Sequence, residues 1–236
     1  SVPESCIFLG NGSDEAIDLL IRAFCKPSFH NIIIPSPTYG MYSVSAGVNE
    51  VMVKSVPLTQ SFDLNIDATL KAIDANTRML FLCSPNNPTG NVLSRNLVDI
   101  ILDEFPGVVV VDEAYIDFST TPSLLTILEK RPGLVVLQTL SKAWGLAGLR
   151  LGMDFGHPEI IALLDKIKPP YNISSVAQSI ALDALKDPAH KTQQVNSILK
   201  ERDLMADLLK QVRHVSRVFP SEANFLLVRI KDATRA

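Results

Sequence analysis

Five short apolar runs, mostly β-branched, recur through the chain: Ile32 to Ile34, Val51 to Val56, Met79 to Cys83, Val108 to Val111 and Leu134 to Leu137. None shows the clean apolar–polar alternation of a strand with one wet face, so each reads as a strand buried on both sides. Helical patterns lie between them. Ile17, Leu20, Ile21 and Phe24 mark one apolar face at helical spacing, and Leu97, Ile100, Ile101 and Phe105 mark another. Strand–helix alternation on this scale predicts an α/β domain, with a mostly parallel central sheet covered by helices on both faces. It also says where a ligand belongs, because such sheets bind at the carboxyl ends of their strands.

Composition agrees with a buried core. Of 236 residues, 47% are hydrophobic and 20% charged. The net charge of −3, with lysine and arginine scattered, argues against a nucleic-acid partner. No apolar run approaches the ~18–20 residues that span a bilayer, which argues against a membrane protein. Cys6, Cys25 and Cys83 lack metal or redox spacing, and their odd number fits reduced thiols in a cytoplasm. Past residue 157 the texture changes. Pro158 opens a helical pattern running towards Leu185, interrupted at 168–171, and a charged helix follows over roughly 188–212. Leu199, Met205, Leu208 and Leu209 are its candidate inner positions. Val215 to Phe219 and Asn224 to Ile230 then read as strands. The expected division is a large α/β domain over 1–185, including the long linking helix, and part of a small α+β domain over 186–236. The opening Ser-Val-Pro-Glu-Ser and the closing Lys-Asp-Ala-Thr-Arg-Ala suggest that both ends are cut.

The chemistry concentrates around Lys142. This lysine follows an apolar run, sits beside Ser141 and precedes a glycine-rich stretch that ends at Arg150. Thr139, Ser141 and Arg150 offer the donors that a phosphate ester needs. An amine beside such a clamp points to pyridoxal phosphate held as a Schiff base on Lys142. A lone Ser-Lys would more simply be surface, but other segments supply matching parts. Gly10 to Glu15 lies between a short strand (Ile7 to Leu9) and a helix, a glycine turn with free N–H groups that suits phosphate and also an ordinary helix cap. Here the side chains of Asp14 and Glu15 are expected to point away from a bound anion. Tyr39, after the strand ending at Ile34, can stack on a planar ring or merely pack across a helix start. Ser84 to Gly90 is stiffened by prolines and can aim the Asn87 amide at a phenolate oxygen. Asp112 emerges from four valines, where a buried carboxylate needs a cationic partner or becomes protonated. A protonated pyridine nitrogen is such a partner, and Tyr115 can reach the phenolate oxygen beside Asn87. A metal ligand and a Walker-B carboxylate are the rival readings of Asp112. Both lack supporting motifs, so no metal is assigned, and none of the four histidines receives a role.

The segments GNGSDEAIDLLIRAF (10–24), PTYGMYSVSA (37–46), SPNNPTGN (84–91), VVVDEAYIDF (109–118) and TLSKAWGLAGLRLG (139–152) occur in an order that resembles the fold-type I pyridoxal-phosphate aminotransferases, most closely the histidinol-phosphate aminotransferase family. The resemblance implies an aspartate-aminotransferase-like fold. It implies that Lys142 bears the cofactor and shuttles a proton between the substrate Cα and the cofactor's C4′. Asp112 would pair with the pyridine nitrogen, Asn87 and Tyr115 would hold the phenolate oxygen, and Tyr39 would stack on the ring. The backbone at Ser13, Asp14 and Glu15, with Thr139, Ser141 and Arg150, would hold the phosphate. Trp144 and the stretch 152–155 depart from the family's pattern. The implied reaction joins histidinol phosphate and 2-oxoglutarate, in a cytoplasmic homodimer of histidine biosynthesis. The N-terminal arm and the substrate-carboxylate arginine of relatives are not found in this chain, so little activity is expected from it alone. A phosphothreonine decarboxylase or a non-catalytic regulatory domain could share the same cofactor segments.

Overall fold

A computed structural model describes residues 2–231. Its centre is a seven-stranded sheet in the order β1 (Ile7–Asn11), β7 (Leu151–Phe155), β6 (Leu134–Thr139), β5 (Val108–Asp112), β4 (Thr77–Cys83), β2 (Asn31–Ser36), β3 (Met52–Pro57). β7 pairs antiparallel with both β1 and β6, and every other neighbouring pair is parallel. The mostly parallel sheet expected from the apolar runs is therefore present, with one reversed strand. β7 is the strand the sequence reading missed. Gly152 and Asp154 interrupt its apolar run and hide its strand character.

Helices cover both faces. α1 (Ser13–Phe24), α2 (Met41–Val48) and α5 (Pro158–Ile167) pack over the face that carries Phe8, Ile32, Phe81, Val110 and Leu137. α3 (Ile66–Ala72) and α4 (Arg95–Glu104) cover the opposite face, which carries Ile33, Leu80, Val109, Val111 and Val136. All four valines of β5 are buried, and each contributes roughly 1.5–3 kcal/mol by leaving water. Of the two predicted helix faces, that of α1 is inward at Ile17, Leu20 and Ile21. On α4, Ile100 is exposed and Val98 takes its place inside.

The helical pattern from Pro158, with its interruption at 168–171, forms two helices, α5 and α6 (Ser175–Ala184), with Pro169 and Pro170 in the break. The Ser174 side chain caps α6 by accepting from the Ala177 N–H at 3.1 Å. α7 (Pro188–Lys210) follows, with Val195 as its buried residue. Met205 and Leu208, expected inside, are about half exposed, and Leu199 is partly buried. β8 (Val215–Val218) and β9 (Val228–Ile230) form an antiparallel pair. The second strand starts later than Asn224 because Ser221 closes a turn, donating to the Phe225 carbonyl at 2.6 Å and accepting from the Ala223 N–H at 3.1 Å. Positions 232–236 of the expected small domain lie outside the described residues. Among the described residues, no helix is long and apolar enough to cross a membrane.

Candidate active site

The carboxyl ends of β4, β5 and β6 meet the start of α1 at a cavity of about 130 Å³. Ten predicted residues line it: Ser13, Asp14, Tyr39, Asn87, Asp112, Tyr115, Thr139, Ser141, Lys142 and Arg150. Glu15 does not. Its carboxylate accepts from the Asn11 N–H at 2.6 Å and from Asn172 Nδ2 at 2.8 Å, so it faces away from the cavity as expected. Asp14 corrects the other half of that expectation. Its carboxylate lines the cavity, where it accepts from the Tyr39 hydroxyl at 3.0 Å and meets Arg150 Nη2 at 3.2 Å. Two potential donors to a ligand are already gathered on one carboxylate, which settles its direction.

The β1–α1 turn is built for a close approach. Gly12 has φ +73°, a conformation L residues avoid, and a Cβ there would lie 2.5 Å from Arg150 Nη2. The absent side chain lets the guanidinium lie over the turn, beside the free N–H groups that begin α1. Arg150 itself has φ +53°. Thr139 accepts from the Ser141 N–H at 3.1 Å, and its hydroxyl lies 2.9 Å from that of Ser141. The turn after β6 thus orders both hydroxyls at the same end of the cavity as Gly12.

Asp112 forms the buried side. Its Oδ2 accepts from the Tyr42 hydroxyl at 2.8 Å and its Oδ1 from the Ala114 N–H at 3.0 Å. Both donors are neutral. Burial pushes its pKa up, and these hydrogen bonds oppose the rise only in part. Tyr42 is a site residue that the sequence reading missed. It sits three positions after Tyr39, in the first turn of α2, and a second aromatic in the same segment was the available signal. Its ring stacks on Phe81 at 5.0 Å and meets Tyr39 edge-on at 5.5 Å. Lys142 Nζ lies 5.4 Å from the centroid of the Tyr115 ring. The Tyr115 hydroxyl is raised in pKa, chiefly by burial, with the Asn87 side chain opposing the rise. Asn87 and Tyr115 are thus neighbours, as predicted. Phe225 packs edge-on against Tyr115 at 5.1 Å, a contact from the far end of the chain that no local motif announced.

The description "Aminotransferase class I and II" matches residues 1–236. The chain belongs to this family. It is 53% identical over 229 residues to a histidinol-phosphate aminotransferase of Cytophaga hutchinsonii, across 97% of this chain and 66% of that protein. It spans about two thirds of the length of such curated relatives. The crystal structure of a histidinol-phosphate aminotransferase from Clostridium acetobutylicum matches with a TM-score of 0.88 at 27% identity, over 96% of this chain and 68% of that one. A Sinorhizobium meliloti histidinol-phosphate aminotransferase, solved in complex with pyridoxal-5′-phosphate, shares the fold with a TM-score of 0.87 at 23% identity, over 98% of this chain and 63% of that one. The architecture is the aspartate-aminotransferase-like fold of this family.

Proposed function

We propose that this chain is the cofactor-binding body of a pyridoxal-phosphate-dependent aminotransferase acting on histidinol phosphate and 2-oxoglutarate, in histidine biosynthesis. The observation that carries the reading is Asp112. Asp112 is held at 4% exposure, accepts from two neutral donors and faces a cavity lined by Lys142. Among the described residues it forms no ion pair, and the more distant Lys142 offsets the cost of its burial only in part. A protonated pyridine nitrogen answers that deficit. Gly12, the start of α1, Thr139, Ser141 and Arg150 fit a phosphate at the cavity's other end. When bound, pyridoxal phosphate supplies the electron sink that lets a bond at the substrate Cα break heterolytically. Lys142 Nζ would hold the cofactor and would serve as the base and acid for the proton at that carbon. Asp112 would keep the ring nitrogen protonated, Asn87 and Tyr115 would orient the phenolate oxygen, and Tyr39 would cover the ring face. The substrate follows from the 53% identity with a histidinol-phosphate aminotransferase. On this reading residues 1–185 form the large domain and 186–236 part of a small one, in a cytoplasmic homodimer.

Borohydride reduction of the loaded protein, followed by peptide mapping, should place the label on Lys142. Label on any other lysine overturns the cofactor assignment. In a form that includes the remaining third of the relatives' length, histidinol phosphate with 2-oxoglutarate should yield glutamate much faster than phosphothreonine yields carbon dioxide. The reverse ratio moves the protein to the decarboxylase class.

A further inference from the structure

We propose that Asn172 is a positioning residue for the phosphate seat, acting by holding the Glu15 carboxylate away from it. The proposal rests on the cofactor reading above. Asn172 lies in the loop between α5 and α6, far in sequence from every cavity segment, yet its side chain reaches back to the β1–α1 turn. Its Nδ2 donates to the Leu9 carbonyl at 3.0 Å and to Glu15 Oε2 at 2.8 Å. Its Oδ1 accepts from Lys168 Nζ at 3.2 Å. These three partners fix which end of the amide faces the turn, since a flipped amide would set oxygen against oxygen at two of them.

The charge on Glu15 gives the arrangement its purpose. Glu15 stands in the first turn of α1, beside the N–H groups that would receive a dianionic phosphate. A carboxylate free to swing inward would compete for those N–H groups and repel the phosphate. Two donors hold it outward: the Asn11 N–H at 2.6 Å and Asn172 Nδ2 at 2.8 Å. The first comes from the turn itself, so Asn172 is the outside anchor. Its bond to the Leu9 carbonyl pins the end of β1 from which that turn departs. The preceding residue, Tyr171, has φ +56° and a fully solvated side chain, so the loop accepts a left-handed residue to deliver the amide.

The test compares two ligands of the purified protein, pyridoxal phosphate and pyridoxal, with dissociation constants from absorbance titration. Asn172→Ala should weaken pyridoxal phosphate about tenfold and leave pyridoxal nearly unchanged, because the lost hydrogen bond to a charged group acts at the phosphate end. Adding Glu15→Gln should restore most of that affinity, since the carboxylate being restrained is gone. Asn172→Asp keeps the side-chain shape and sets a second charge against Glu15, so it should show the same selective loss, and it serves if the alanine variant folds poorly. Equal loss for both ligands, no loss in either variant, or no recovery in the double variant overturns the proposal. If the wild-type protein binds pyridoxal phosphate no tighter than pyridoxal, the phosphate seat itself fails and the role of Asn172 falls with it. A phosphate-selective wild type that Asn172→Ala leaves unaltered removes only the role of Asn172.

Discussion

Asp112 and Asp154 occupy one row of the sheet and have opposite surroundings. Through the register Asp112↔Leu137↔Asp154 they project from the same face, two strands and roughly 10 Å apart. Both are almost fully buried, at 4% and 0% exposure, and burial raises the pKa of both. Asp112 ends its strand, receives two hydrogen bonds and opens onto a cavity. Asp154 lies inside β7, and neither of its oxygens has a hydrogen-bond partner. The Asp112 and Glu15 carboxylates disfavour its ionisation further. Burial alone therefore says little about function. What separates the two aspartates is whether the fold brings donors and an opening to the carboxyl group.

The widest gap should appear in turnover. Asp112→Ala in the complete enzyme should slow transamination by about a thousandfold or more while retaining much of the phosphate-derived affinity, because the ring loses its proton and its sink character. Single-turnover kinetics measure the loss, and near-normal rates would make Asp112 as structural as its neighbour in the row. Asp154→Ala should leave turnover unchanged and raise stability by about 1–3 kcal/mol at neutral pH, the usual cost of an unpaired buried polar group.

The same comparison makes a prediction about pH. Asp154 has a folded pKa raised above its unfolded value, so the folded state holds a proton that the unfolded chain has released. Stability is fully present below the ordinary carboxylate range and declines as pH rises through the folded pKa of Asp154. Urea denaturation of wild type against Asp154→Ala, from pH 4 upward, should show the wild type losing ground steadily. Parallel curves would mean that Asp154 finds a partner in solution.

The difference between these regions also explains how much was legible in the sequence. Strands buried on both faces announce themselves by composition, so β2 to β6 were readable from their apolar runs. The cavity segments were readable because each follows such a run, and a parallel sheet brings those ends together without any knowledge of packing. β7 was not, since Gly152 and Asp154 break its pattern and its identity comes from pairing with β1 and β6. The side-chain donor to Asp112 was only partly legible, for Tyr42 follows Tyr39 in the same segment but stands 70 positions from Asp112, and only the folded α2 brings it there. On α7 the leucines and methionine suggested an inner stripe; Leu199 does pack against the cluster of Tyr115, Phe118 and Ala143, but the buried residue there is Val195, and Met205 and Leu208 stay half exposed. The direction of Asp14 was likewise beyond local rules, because Arg150 and Tyr39 decide it from distant segments.

The smallest expected effect concerns Tyr42, the group that most separates Asp112 from Asp154 at the level of single contacts. Its hydroxyl is fully buried, and its own pKa is pushed well above the ordinary range, first by burial and then by the Asp112 charge. It therefore remains a donor at any working pH, giving Asp112 a permanent hydrogen bond that Asp154 lacks. Tyr42→Phe removes that bond and keeps the ring on Phe81. Asp112 would retain the Ala114 N–H and the ring nitrogen, so the loss should be modest, about 1–2 kcal/mol. It should appear as up to tenfold weaker cofactor binding, with the folded pKa of Asp112 moving further upward and the protonated-ring absorbance titrating away at lower pH. Stability without cofactor should move less, because phenylalanine leaves no unpaired donor behind and Asp112 can accept a proton in compensation. A variant that matched wild type in both binding and absorbance would show that the backbone N–H alone distinguishes Asp112 from the unpartnered Asp154 in the same row.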